Sequence, residues 1–241
     1  MDLFTKAWSF SSVKLFATCP YAFYLRYIKG EKESPNAFSQ HGTLVHSLLE
    51  RYFKGELFAF ELADLFEQEY ASVVTEQFPF YNMYKSYYDK TLQYLQNFDG
   101  IDGEVLSVEQ KLESTIGGHK FIGYADLILR DDNGINITDH KSHAKWASKR
   151  EREEYFRQLY LYAHVVKEMY GEFPRTLSFN RFRIPDEPMD SVAFRKEDYD
   201  TTLDWFKKTV DTILKEDNWE CGVNDFYCKS LCGMRKCVYN G

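Results

Sequence analysis

The stretch FIGYADLILRDDNGINITDHK, residues 121–141, decides how this chain reads. Two apolar runs, Phe121 to Leu129 and Ile135 to Lys141, flank Asp131-Asp132-Asn133-Gly134, a sequence suited to a tight hairpin turn. Asp139 and Lys141 lie two apart in the second run, so strand alternation puts them on one face together with Ile135 and Ile137. With the turn centred on Asp132 and Asn133, facing residues have numbers summing to 265, and Asp126 stands opposite Asp139. A turn shifted by one residue would shift the pairing by one. Two opposed carboxylates between apolar neighbours repel unless a cation lies between them, and magnesium or manganese suits an all-oxygen site. Such an ion lowers the pKa of bound water and holds a phosphodiester oxygen, while Lys141 orients the nucleophile or neutralises charge on the phosphate. Spacing alone serves equally well a structural ion pair of Asp126 with Lys141, Asp139 simply ending its strand.

Working outward, Lys145, Lys149, Arg150 and Arg152 form a basic stretch in a chain of net charge -7, as phosphate contacts would require. The start of a solvated helix would look the same. Gln158 and Tyr162 fall four apart on the helix expected from Ser148 to Met169 and share a face toward one ligand. Beyond it, Leu177 to Phe182 reads as a fourth strand and Tyr199 to Leu214 as a last helix. Upstream, Val105-Leu106-Val108 opens a strand that turns at Gly117-Gly118. Helical spacing from Thr43 to about Phe98 predicts three helices, and Ser11-Ser12 can cap a helix through Ile28 that Pro20 interrupts. These elements make one α/β domain over 1–241: an N-terminal helix and loop (1–42), a helical region (43–100), a core of a small mixed sheet flanked by helices (101–216) and a cysteine-rich end (217–241). No window approaches a membrane span and the N-terminus lacks the pattern of a signal peptide, so a cytoplasmic protein is expected. The acidic balance confines any nucleic-acid surface to a local basic groove.

Five segments in order resemble the RecB-like branch of the PD-(D/E)XK nuclease superfamily, which includes the CRISPR-associated exonucleases and related phage enzymes. They are Cys19-Pro20 in a first aromatic helix, Gly42-Thr43-Leu44-Val45-His46 with Leu49-Glu50, Gly123-Tyr124-Ala125-Asp126, Asp139-His140-Lys141, and Gln158 with Tyr162. The resemblance implies a restriction-endonuclease-like core, with His46, Asp126, Asp139 and the main-chain carbonyl of His140 as metal ligands. Lys141 becomes the catalytic lysine, and Gln158 and Tyr162 position the DNA strand. A lone histidine is more often a satisfied helix residue than a ligand; imidazole in the set hints at manganese. Glu109, on the first strand, is not singled out by its spacing and stays outside this set.

The same resemblance makes Cys19, Cys228, Cys232 and Cys237 the ligands of a four-iron, four-sulfur cluster, so that the C-terminal segment is a clasp joined to Cys19. Three and then four residues separate the last three cysteines, where the family usually leaves two and then five. Cys221 is a further possible ligand, and a structural zinc ion would tolerate this spacing. The implied activity is metal-dependent hydrolysis of DNA, with exonuclease action on single-stranded ends as the family's theme. A structure-dependent endonuclease on the same core, and a catalytically silent DNA-binding subunit, are the alternatives. A recombination, helicase or CRISPR-adaptation protein would be a partner.

Overall fold

The computed structural model describes residues 6–223, 228, 232–234 and 237–239, and the chain divides into two compact units. One comprises the chain through Asn36, Glu113–Gly123, and the chain from Asp200 onward; the other comprises Ala37–Leu112 and Tyr124–Tyr199.

In the first unit, helix α1 (Phe10–Thr18) starts one residue before the predicted serine pair, because the Ser9 side chain caps it by accepting the Ser12 N–H at 3.2 Å. It stops at Cys19, whose extended backbone ends α1 and opens the short α2 (Pro20–Phe23); proline is tolerated at a first helical position, where no N–H is needed. A π-helical turn, Tyr24–Ile28, follows. Trp8 pairs its backbone with residues 120 and 122 and stacks on Phe23, while Phe121 meets Phe206 edge-on. These rings form the unit's core with Val13, Phe16 and Val210, all buried. The part of the C-terminal clasp at 224–227, 229–231, 235–236 and 240–241 lies outside the described residues.

The second unit carries three helices, α3 (Ala37–Phe53), α4 (Leu62–Val73) and α5 (Tyr81–Gln96). They close over Leu44, Leu48, Phe66 and Leu95, and α3 begins six residues before the predicted start. The sheet has the order β1 (Glu104–Ile116), β2 (His119–Asp131), β3 (Gly134–Lys141), β4 (Thr176–Arg181) and β5 (Met189–Ala193). β2 and β3 are antiparallel, whereas β3 and β4 are parallel and therefore need a long crossover, supplied by α6 (Lys149–Tyr170). Ser148 caps α6 by accepting the Glu151 N–H, and Gly171, at φ +79°, ends it. The result is a five-stranded mixed sheet flanked by helices, and helix α7 (Lys196–Ile213) starts in this unit and runs on, from Asp200, in the first. Strand β5 was not expected from the sequence: Met-Asp-Ser-Val-Ala is short and half polar, and it forms because the edge of β4 offers it a ladder.

His41 shows how much the helical packing dictates. Its ring is fully buried between Tyr70 and Thr91, with Nε2 3.0 Å from Thr91 Oγ1 and Nδ1 3.4 Å from Tyr70 Oη. Burial, and secondarily Arg183, holds its pKa down to about 3. The unfolded chain takes up this proton near pH 6.5 and the folded chain only near 3, so stability falls as pH drops through that window, by at most about 1.4 kcal/mol per pH unit. Urea denaturation between pH 7.5 and 4.5 should show a flatter pH dependence for His41→Gln than for wild type; parallel curves would mean that His41 is not held neutral.

Candidate metal centre

The β2–β3 register pairs Asp131 with Gly134 through Leu127 with Thr138, and Asp126 and Asp139 are the positions immediately beyond the last of these pairs. Both carboxylates are buried, with Asp139 2% exposed. Asp126 Oδ2 accepts the His140 N–H at 2.6 Å. Asp139 Oδ1 accepts Gln158 Nε2 at 2.6 Å, and its Oδ2 lies 2.5 Å from Lys141 Nζ. Lys141 forms its ion pair with Asp139, and its charge also acts on Asp126. Gln158 Nε2 also donates to Tyr162 Oη at 2.8 Å, and that hydroxyl is reached by the Tyr124 main-chain N–H. Gln158 and Tyr162 therefore brace Asp139 from α6, which packs on β3 and β4.

From α3, the His46 ring places Nδ1 3.4 Å from Asp126 Oδ2 and hydrogen-bonds to the His140 carbonyl. Burial keeps this imidazole neutral, with its pKa below the usual value. The His140 side chain points elsewhere: its buried ring stacks on Phe53, and its Nδ1 is 3.0 Å from Asn180 Nδ2. His140 thus faces the centre with its main chain, in keeping with a carbonyl ligand.

Glu109 is the residue that the sequence reading left aside. Among the described residues, His46, Glu109 and Asp126 are the one group of three ligand-bearing side chains whose donor atoms lie within 4.8 Å of one another. Glu109 reaches it through a backbone at φ +50°, the sole positive φ of a non-glycine among the described residues. Such a kink inside a strand re-aims a side chain that alternation would send elsewhere. Nothing in Val108-Glu109-Gln110 announces it, because no glycine marks the site.

The electrostatics ask for a cation. Burial and then Asp126 push Glu109 up to about 7, and burial and then Asp139 raise Asp126 well above the carboxylate range. Carboxylates that raise one another's pKa, beside a neutral imidazole and a carbonyl, are the donor set a divalent metal ion fits.

The basic stretch is less free than its sequence suggests. Lys145 is exposed, Lys149 lies 3.7 Å from Glu153, and Arg150 Nε lies 2.9 Å from Glu154, exposed pairs that solvent largely screens. Arg152 grips Asp190 on β5 through Nη2 at 2.6 Å and Nε at 3.0 Å, which ties the start of α6 to the sheet edge.

In the first unit the five cysteines gather. Cys19 Sγ lies 3.9 Å from Cys221 Sγ, Cys228 interacts with Cys221, and Cys232 lies near Cys237 and Cys19. Cys19, Cys228 and Cys237 are buried, and burial together with the neighbouring thiol pushes Cys228 up to about 11.

The sequence profile of the PD-(D/E)XK nuclease superfamily matches residues 7–239. No curated protein matches the chain. Among solved structures, the “Putative exonuclease” from Eubacterium rectale is similar at 14% identity with a TM-score of 0.54, over 91% of this chain and 86% of that one. SSO0001 aligns over 96% of each chain at 16% identity with a TM-score of 0.32. The first of these likenesses concerns the fold; the second carries no argument.

Proposed function

This chain belongs to the PD-(D/E)XK nuclease superfamily, whose members use divalent metals, and from that premise we propose that it is a metal-dependent exonuclease that hydrolyses DNA at single-stranded ends in recombination, repair or CRISPR-type processing. The observation that carries the reading is the convergence of Asp126, Asp139, His46, Glu109 and Lys141 around one point. His46, Glu109, Asp126, Asp139 and the His140 carbonyl would hold magnesium or manganese. When bound, the ion supplies Lewis-acid polarisation of the phosphodiester and a more acidic water.

The protein's own groups do the remainder. Lys141 Nζ, beside Asp139, lies where the attacked phosphate gains negative charge, and it orients the water that attacks phosphorus. Gln158 prevents Asp139 from rotating toward Lys141 alone, because it holds the other carboxylate oxygen. Lys145, Lys149, Arg150 and Arg152 would contact the phosphates of the strand, Arg152 from the position that Asp190 holds it in. We assign the gathered thiols to a structural four-iron, four-sulfur cluster, which takes no part in the hydrolysis.

The test is degradation of end-labelled linear single strands and of circular DNA by wild type and Lys141→Ala, with manganese, magnesium or chelator. The expected result is metal-dependent loss of linear DNA only, absent in the variant. Cutting of circles would make it an endonuclease, and no cleavage of any substrate would make it a DNA-binding subunit.

A further inference from the structure

On β2 the even-numbered side chains share a face, and they run from exposed Lys120 through half-buried Ile122 and exposed Tyr124 to buried Asp126. Tyr124 is 50% exposed, and no other ring stacks on it among the described residues. Its main-chain N–H reaches the Tyr162 hydroxyl, which Gln158 links to Asp139, so the backbone beneath this ring is tied to the carboxylates. Gly123 and Ala125, its neighbours in sequence, are both buried.

A large ring left in water costs hydration without contributing to the core, and this one lies two residues, roughly 7 Å along the strand, from Asp126. A phosphate held at the carboxylates brings the base of an adjoining nucleotide within reach of that ring. We propose that Tyr124 stacks on a nucleobase next to the scissile phosphate and thereby selects unpaired DNA; this rests on the nuclease reading above. A base can lie on a protein ring only after leaving its own stack, which a duplex resists and a single-stranded end allows. Stacking accepts any base, because each presents a π face, so Tyr124 selects strand state and leaves sequence unread.

The test is a double-mutant cycle on full-length protein. Binding of single-stranded oligonucleotides is measured in calcium for wild type, Tyr124→Phe and Tyr124→Ala, with normal or abasic terminal nucleotides. Tyr124→Ala and base removal should each weaken binding roughly 5- to 150-fold, and together no more than either alone, whereas Tyr124→Phe binds as wild type. Additive losses, or an unchanged Tyr124→Ala, would overturn the stacking role and leave the nuclease reading intact. A wild type that binds no single strand would overturn both.

Discussion

Asp139→Asn should lower the rate of DNA hydrolysis on the order of 10³-fold or more while the protein stays folded. The substitution nearly keeps the shape of the side chain: the amide oxygen can still accept Gln158, while the amide NH2 takes the place of the oxygen facing Lys141, so the charge and that one acceptor are lost. That charge balances Lys141, now at 2.5 Å, and with Asp126 it creates the demand for a cation. The same variant separates metal binding from fold stability. Without metal, buried Asp126 and half-buried Glu109 repel each other as anions, and both are raised in pKa. For Glu109 the sign is fixed by linkage: the stability its protonated form contributes is present below its ordinary value of 4.5 and is lost as pH rises through about 7. Manganese or magnesium should offset that loss, so the metal-induced rise in Tm should be larger at pH 8 than at pH 5, and absent in Asp139→Asn. An Asp139→Asn protein that retained both hydrolysis and the metal-induced shift would show that the reacting centre lies elsewhere.

The part of this centre that follows strand periodicity was legible. Alternation and one turn motif put Asp126, Asp139 and Lys141 together, because a hairpin register propagates from its turn. Gln158 and Tyr162 were legible for the corresponding helical reason. Glu109 was not, since its place depends on a kinked strand whose φ no residue type betrays. The pairing of Arg152 was not legible either, because a basic run reveals charge but not partner, and its partner, Asp190, sits on a strand too short and polar to be read in advance. The limits of α3 followed the same logic: Ala37 to Gly42 lacks strong apolar spacing until His41 is recognised as a core residue.

Loss of Cys19, Cys228, Cys232 or Cys237, each changed to alanine, should abolish iron content and leave the chain poorly soluble, whereas Cys221→Ser should keep its iron. A zinc ion with 2.3 Å bonds in a tetrahedron draws its sulfurs to about 3.8 Å from one another, all four together. A cluster in which each sulfur holds a different iron needs the wider spread. Cys221 lies 3.9 Å from Cys19 and also interacts with Cys228, and Cys19, which opens α2 from within the buried cluster of Ala22, Leu25, Met234 and Cys237, is the better fixed of Cys19 and Cys221. Because a cofactor that binds only the folded chain adds its binding free energy to stability, removing one ligand costs far more than removing one thiol's packing. Metal analysis and visible absorption of anaerobically purified protein read the outcome directly. Iron and sulfide in wild type and Cys221→Ser, with neither in Cys232→Ala, is the expected result. Zinc in place of iron, or iron lost from Cys221→Ser but kept by Cys19→Ala, would reassign the site.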